Sequence, residues 1–281
     1  MVATKRTQAV LLLLVAAFLW SLGGVLIKWV SLSAPAVAGF RSAIALPLLL
    51  LFFGRRAVNF SVSQLIGGGC YAAMVILFVS ATKLTTAGNA ILLQYTAPLF
   101  VALLSGWLLN EKTRWFDWVA IATVLCGISL FFFDKLSAGG LMGNILAVLS
   151  GFAFASLVIA LRMQKNASPA GSAILGNLLT VLICLPWMVQ TQPGGADWVG
   201  LAFLGVFQLG LSYACYVVAI KNVTAMKGIL IPVLEPLLNP LWTLLFLGER
   251  LGPWALLGGV VVILSIIFRG VMDSRRSVSP V

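Results

Sequence analysis

Ten long runs of apolar residues, separated by short polar connections, make up almost the whole chain. Most of them reach the ~17–25 residues that a helix needs to cross the ~30 Å hydrocarbon core of a bilayer. The connections carry turn signals such as Ala34-Pro35, Ser168-Pro169 and Pro193-Gly194-Gly195. The runs lie at approximately 9–30, 36–53, 63–82, 87–109, 116–133, 142–161, 170–189, 198–219, 227–247 and 254–270. The pattern predicts an all-α integral membrane protein with ten transmembrane helices.

The composition agrees with a membrane protein and narrows the chemistry. The 281 residues are 61% hydrophobic and 9% charged, whereas a typical soluble domain is about 25% charged. The chain has no histidine, which excludes His-ligated metal sites and Ser–His catalysis. Its four cysteines are far apart, and each lies inside an apolar run. We therefore expect no metal, no cofactor and no disulfide framework.

The positive charges predict the orientation in the membrane. The formal net charge is +11, and the lysines and arginines occur in ones and twos at the ends of the apolar runs. With the N-terminus inside, 13 of the 18 lie on the cytoplasmic side and four outside, while Arg41 falls within the second run. Because cytoplasmic loops carry an excess of Lys and Arg, both termini are predicted to be cytoplasmic.

The two halves of the chain carry related blocks. Tyr95-Thr96-Ala97-Pro98-Leu99 leads through Asn110-Glu111-Lys112 to an apolar run, as Leu234-Glu235-Pro236-Leu237 does through Gly248-Glu249-Arg250. Both Pro98 to Pro236 and Glu111 to Glu249 are 138 residues apart, so the alignment needs no gap.

Each half has five predicted spans, an odd number, so the second half must enter the membrane inverted. We therefore expect two inverted five-helix repeats, residues 1–137 and 138–281, within one membrane domain. Inverted repeats with interrupted helices are typical of secondary transporters, whose substrate sites lie between the repeats.

The ninth run has prolines at 232, 236 and 240, one per helical turn. Each proline lacks an N–H and leaves the carbonyl four residues before it without its helical donor. The carbonyls of Gly228, Pro232 and Pro236 should therefore need other partners, which a bilayer allows only inside protein or beside a wet cavity. Pro98, Pro232, Pro236 and Pro240 are predicted helix breaks or hinges.

Glu235 and Asn239, four residues apart, place a polar stripe on one face of the same run. A carboxylate inside an apolar span is costly and is a functional-site candidate. Glu235 is predicted to bind a substrate ammonium, to take up a proton during transport, or both. The alternative is a structural acid, protonated or hydrogen-bonded to a neighbouring helix.

Further candidates lie deep in other spans. Gln94 and Tyr95 occupy the corresponding place in the first half and should face Glu235. Deep aromatic side chains with polar neighbours suggest a cavity wall, with helix packing as the alternative. The substrate-binding candidates are therefore Glu235, Asn239, Gln94, Tyr95, Trp20, Ser21, Tyr71, Tyr213 and Tyr216.

Arg41 also lies within an apolar span. It could meet a substrate carboxylate, but snorkelling or a structural ion pair is the interpretation that the sequence favours.

Several motifs give the chain a resemblance to a known family. They are Leu19-Trp20-Ser21, Phe40-Arg41, the proline-bearing fourth helix ending in Asn110-Glu111-Lys112, Gly127, and Pro236 through Gly248-Glu249-Arg250. The chain resembles the ten-helix EamA-type members of the drug/metabolite transporter superfamily over essentially its whole length. It departs mildly where Asn-Glu-Lys replaces the usual Gly-Glu-Arg.

The resemblance implies export of small metabolites, often amino acids, from the bacterial inner membrane. We expect a secondary transporter of amino acids, aromatic or other neutral ones, that works by alternating access. Its expected partners are the small-molecule substrate and the lipid bilayer, not nucleic acid, and it is expected to act as a monomer, although a dimer remains open. A multidrug or organic-cation exporter is the nearer alternative and an intramembrane enzyme the remote one.

Overall fold

The computed structural model describes residues 2–135, 140–247 and 253–277, and in these ranges the chain is helical with no strand. The helices are α1 (Val2–Ser21), α2 (Gly23–Trp29), α3 (Ala34–Phe53), α4 (Val62–Leu84), α5 (Ala87–Gln94), α6 (Ala97–Leu108), α7 (Trp115–Lys135), α8 (Leu141–Met163), α9 (Pro169–Val189), α10 (Gly195–Phe203), α11 (Ser212–Ala219), α12 (Ala225–Leu230), α13 (Leu234–Leu247) and α14 (Pro253–Ser277). Short 3₁₀ helices cover Arg55–Ala57, Ile220–Asn222 and Ile231–Val233, and a π-helix covers Leu204–Leu211.

These elements form ten spans at the predicted places, so the all-α, ten-helix prediction is confirmed. The first span begins at Val2 and the last ends at Ser277, both several residues beyond the predicted limits. The proposed boundary between the repeats, at 137/138, lies outside the described residues. The inversion of the second repeat stays a prediction.

Six spans are continuous and four are interrupted within the described residues. The first span breaks at Leu22, between α1 and α2, and the fourth breaks at Tyr95-Thr96, between α5 and α6. The eighth passes from α10 through the π-helix to α11, and the ninth passes from α12 through Ile231–Val233 to α13. Irregular backbone at membrane depth is tolerated where it is buried in protein or lines a cavity.

The continuous helices form the frame that holds these interruptions. Helix α4 packs against α8 and α9, and α3 packs against α9 and the π-helix. Helix α1 packs against α11 and α13, while α7 packs mainly on α14. The outer surface is apolar, with exposed side chains such as Leu51, Leu182 and Ile263. A bilayer solvates such a surface, whereas water would not.

Glycines bring helix backbones close together at two contacts near the interruptions. Gly176 of α9 lies against Tyr71 of α4, and a Cβ at Gly176 would stand about 2.6 Å from the Tyr71 ring. A Cβ at Gly151 of α8 would stand 2.6 Å from the Gln94 carbonyl oxygen, at the end of α5. Small residues thus set how closely α8 and α9 approach the centre of the molecule.

Polar contacts at the helix ends fall into two groups, one at each end of the bundle. At one end Arg162 forms an ion pair with Glu111, 2.6 Å, and Arg269 one with Asp117, 2.8 Å. At the other end Asp197 accepts hydrogen bonds from the backbone and hydroxyl of Ser31. The grouping matches the two sides that the charge count distinguishes, and the orientation of the termini stays a prediction.

Candidate functional site

A small cavity lies where the interrupted spans meet. Its lining comes from seven spans and consists of Trp20, Arg41, Met74, Val75, Phe78, Gln94, Phe154, Gln208, Leu209, Tyr213 and Glu235. Four of the predicted site residues, Trp20, Gln94, Tyr213 and Glu235, are among these. The cavity has about 30 Å³ of space for the centres of water molecules. Because one water needs roughly 10–15 Å³ of such space, this conformation takes two or three waters.

Glu235 enters this cavity from the first turn of α13. Its side chain is buried, with 5% exposure, and its carboxyl Oε2 lies 2.9 Å from the Tyr95 hydroxyl. Tyr95 caps the end of α5, so the contact joins the break in the fourth span to the break in the ninth. The structure therefore brings Tyr95 and Glu235 together.

Two of the three predicted unpartnered carbonyls of the ninth span, those of Gly228 and Pro232, are capped by tyrosine hydroxyls. Tyr216 donates to the Gly228 carbonyl, 3.1 Å, and Tyr95 donates to the Pro232 carbonyl, 2.6 Å. These two carbonyls lack their helical donors because residues 232 and 236 are prolines. Tyrosines of the fourth and eighth spans thus hold the interrupted ninth span in place.

The double contact of Tyr95 constrains the protons in the site. Its hydroxyl has one proton and lies within hydrogen-bond distance of both the Pro232 carbonyl and Glu235. A carbonyl can only accept, and so can an ionised carboxylate. Both contacts are full hydrogen bonds if Tyr95 donates to Pro232 while a protonated Glu235 donates to Tyr95. The geometry therefore favours the neutral acid in this conformation.

Aromatic rings pack together to form one wall. The Trp20 ring lies 5.2 Å from the Tyr213 ring and 5.1 Å from the Tyr216 ring, centroid to centroid. Tyr71 packs against Tyr213 at 4.7 Å, and its hydroxyl accepts a hydrogen bond from Asn177, 2.9 Å. Trp20 and Tyr213 face the cavity, whereas Tyr71 and Tyr216 support them from behind.

Other predicted residues have partners of their own. Gln94 lines the cavity but donates its amide to the Ser150 hydroxyl, 2.8 Å. Ser21 is buried beside the break in the first span, where it donates to the Phe18 carbonyl and accepts from Trp242, 2.8 Å. Pro98 lies in the first turn of α6, where a proline starts a helix without loss. The side chains of Asn239 and Pro240 fall outside the described part of the chain.

Arg41 and Gln208 are the polar cavity residues that the predicted site omits. Arg41 is 1% exposed, so it does not snorkel, and no described carboxylate pairs with it. The structure therefore contradicts snorkelling of Arg41 and gives it no ion pair among the described residues. Its Nη1 donates to Gln208 Oε1, 3.0 Å, and Gln208 lies on the π-helix. In the sequence, Gln208 could have been identified because it is a single amide in the middle of the eighth apolar run.

Comparison with known proteins identifies the family. The model of the EamA-like transporter family matches the chain twice, over residues 7–133 and 141–270. The chain belongs to the EamA-like transporter family. The two matches divide the transporter between residues 133 and 141, next to the predicted repeat boundary.

Curated relatives and a solved structure are also similar to this transporter. The threonine/homoserine exporter RhtA of Escherichia coli (strain K12) is 29% identical over 245 residues, covering 83% of this chain and 81% of its own. RhtA of Salmonella typhimurium (strain LT2) is 28% identical over 229 residues, 78% of this chain and 75% of its own. A crystal structure with 18% identity matches with a TM-score of 0.78, covering 95% of this chain and 98% of that one, which shows a shared fold.

Proposed function

We propose that this transporter exports small neutral amino acids across the bacterial inner membrane by alternating access through the central cavity. The observation that carries the proposal is the buried Glu235 carboxyl, which lines the cavity at the helix break of the ninth span. The exporter name of the RhtA relatives supports the substrate class. Both termini are cytoplasmic in this proposal, and the transporter is no enzyme and acts as a monomer.

Glu235 also serves as the coupling group in this proposal. When protonated it bonds to Tyr95 and holds the fourth and ninth spans together. When it loses the proton it can bind the ammonium of a substrate instead. Because the proton and the amino acid compete for one carboxyl, proton entry and amino-acid exit alternate, which is the requirement for antiport.

The size of the cavity bears on the choice between amino acids. The cavity takes two or three waters, so it must widen before any amino acid fits. An amino acid with a small side chain requires the least movement of the surrounding helices. The aromatic wall of Trp20 and Tyr213 would also suit an aromatic substrate. The RhtA relatives favour substrates of the size of threonine and homoserine.

The two alternatives receive less support. An organic cation would suit Glu235, but the same cavity contains the buried positive charge of Arg41, which repels cations. An intramembrane enzyme dependent on a divalent metal would need clustered ligands. Among the described residues, no group of three or more Cys, Asp or Glu could hold a metal ion.

Counterflow in proteoliposomes tests the proposed substrate class. Vesicles loaded with unlabelled threonine, homoserine or phenylalanine receive the same labelled amino acid outside, and tetraphenylphosphonium is tested separately as a lipophilic cation. We expect labelled threonine or homoserine to accumulate transiently, phenylalanine less, and the cation not at all. Protein-free vesicles provide the control. Exchange of the cation without exchange of any amino acid would contradict the proposal.

Two tyrosines offer a matched test of the coupling. Tyr95→Phe and Tyr216→Phe each remove one hydroxyl from a carbonyl that lies four residues before a proline and lacks its helical donor, so each should lower stability by about 1–3 kcal/mol. Only Tyr95 touches Glu235, so only Tyr95→Phe should shift the pH dependence of counterflow. Thermal unfolding in detergent and exchange from pH 5.5 to 8.5 measure the two effects. Equal pH profiles for the two variants would contradict the coupling role of Tyr95.

A further inference from the structure

The guanidinium of Arg41 lines the cavity and has fewer hydrogen-bond partners than it has donors. A guanidinium has five N–H donors. In this structure Nη1 donates to Gln208, 3.0 Å, and Nη2 lies 3.5 Å from the Val75 carbonyl oxygen, the limit of a hydrogen bond. Nε is buried with no hydrogen-bond partner, and the side chain lines the cavity. A buried cation without an anion is costly, and an ionisable residue inside a membrane span is a functional-site candidate, so Arg41 is a candidate for binding an anion.

The surrounding backbone holds the guanidinium in place. Gln208, its hydrogen-bond acceptor, lies on the π-helix Leu204–Leu211, and π-helical turns occur frequently at functional sites. On the same π-helix Gly205 lies against α3, where a Cβ would stand 2.9 Å from the Arg41 carbonyl oxygen. Gly23, beside the break in the first span, leaves room for the Gln208 amide, since a Cβ there would stand 2.9 Å from Nε2. Two interrupted spans are thus fitted around the Arg41–Gln208 pair.

The cavity keeps its guanidinium and its carboxyl group apart. Glu235 bonds to Tyr95 and Arg41 bonds to Gln208, and the two do not form an ion pair with each other. Aromatic and aliphatic side chains, among them Trp20, Met74 and Tyr213, complete the lining. A cavity with a buried guanidinium and a separate buried carboxyl group is complementary to a zwitterion once the carboxyl group has lost its proton.

We propose that Arg41, oriented by Gln208, binds the carboxylate of the substrate while Glu235 binds its ammonium. This assignment rests on the proposed function and narrows it, because substrates must then carry a free carboxylate beside the ammonium. Arginine suits this role because its planar fork matches a carboxylate with two parallel hydrogen bonds. The free Nε and the weakly bound Nη2 are the donors that remain for it.

Competition between an amino acid and its amide tests the assignment. Counterflow of labelled threonine is measured with unlabelled threonine or threoninamide as inhibitor, and phenylalanine with phenylalaninamide in parallel. The amide keeps the ammonium and lacks the carboxylate. In the wild type we expect the amide to inhibit at least about tenfold less well than the amino acid, the scale of a charged hydrogen bond. The ratio of the inhibition constants of the amide and the amino acid should fall to near one in Arg41→Gln. In Arg41→Lys it should lie between that value and the wild-type ratio.

Two further variants keep the test decisive. Gln208→Met leaves the guanidinium in place but removes its acceptor, so the ratio should fall by a few-fold even if Arg41→Gln does not fold. Lys112→Gln, which removes an exposed cation outside the cavity, should keep the wild-type ratio.

The outcomes separate the two proposals. A tenfold ratio that persists in Arg41→Gln and in Gln208→Met overturns the role of Arg41 and leaves amino-acid export intact. Equal inhibition by amide and amino acid in the wild type does the same. Absence of amino-acid exchange in the wild type overturns the proposed function, and the assignment of Arg41 falls with it.

Discussion

Replacing Glu235 by glutamine is expected to abolish amino-acid accumulation driven by a pH gradient while leaving exchange measurable. Glutamine has nearly the shape of the protonated acid and can still bond to Tyr95, so the fourth and ninth spans should stay joined. It cannot release or bind a proton at any pH of the assay. Exchange should fall by about tenfold, because a charge-assisted bond to the substrate ammonium becomes a neutral one.

The measurement is uptake of labelled threonine into proteoliposomes whose interior is more acidic than the medium. Protons that leave the vesicle then drive threonine in through the wild type. Asp197→Asn is the matched control, since it makes the same carboxylate-to-amide change at a partly exposed residue outside the cavity that bonds to Ser31. Unchanged gradient-driven uptake in Glu235→Gln would contradict proton coupling at this residue. Complete loss of both exchange and driven uptake, in a folded variant, would show that substrate binding itself requires the Glu235 carboxylate.

Much of the fold can be predicted from the sequence, because the helices and their interruptions are determined by residues close together in the chain. Ten apolar runs of membrane length require ten helices, since a bilayer leaves backbone groups no other partners. The prolines of the ninth span predict missing donors at Gly228 and Pro232, and the structure places a tyrosine hydroxyl on each. The sequence does not show which tyrosines these are, because the contacts join residues far apart in the chain.

The site is predicted less completely for the same reason. Glu235 is apparent from sequence because a carboxylate in an apolar span is rare. Arg41 is equally rare, yet its role depends on whether a carboxylate lies nearby, and that is a matter of packing between spans. Gln208 is noticeable in the sequence as a single amide in an apolar run, but its place beside Arg41 depends on the π-helix, which no local pattern in the eighth run predicts. Charge in a span marks a candidate, but only its partners distinguish a binding group from a structural one.

Arg269 and Asp117 illustrate the opposite case, a charge pair whose partners make it structural. Arg269 of α14 donates from Nε to Asp117 Oδ1, 2.8 Å, and the two are 6% and 4% exposed. The second oxygen of Asp117 accepts the backbone N–H of Arg114, 2.9 Å, at the start of α7. Ser265 adds a hydrogen bond to the Ala120 carbonyl, 3.0 Å, between the same helices. Since α7 packs mainly on α14, we expect the ion pair of Arg269 and Asp117 to stabilise the packing of the fifth span on the tenth.

We expect Asp117→Asn to lower the free energy of unfolding by about 3–5 kcal/mol. Asparagine can still accept the bond from Arg114, but it leaves Arg269 as a buried charge without an anion. The double variant Asp117→Asn with Arg269→Met removes that charge and should recover most of the loss, because an apolar replacement of a buried pair is often neutral. Thermal unfolding in detergent, followed by the loss of helical circular dichroism, measures both. A double variant as unstable as the single one would show that the cost lies elsewhere than in the stranded arginine.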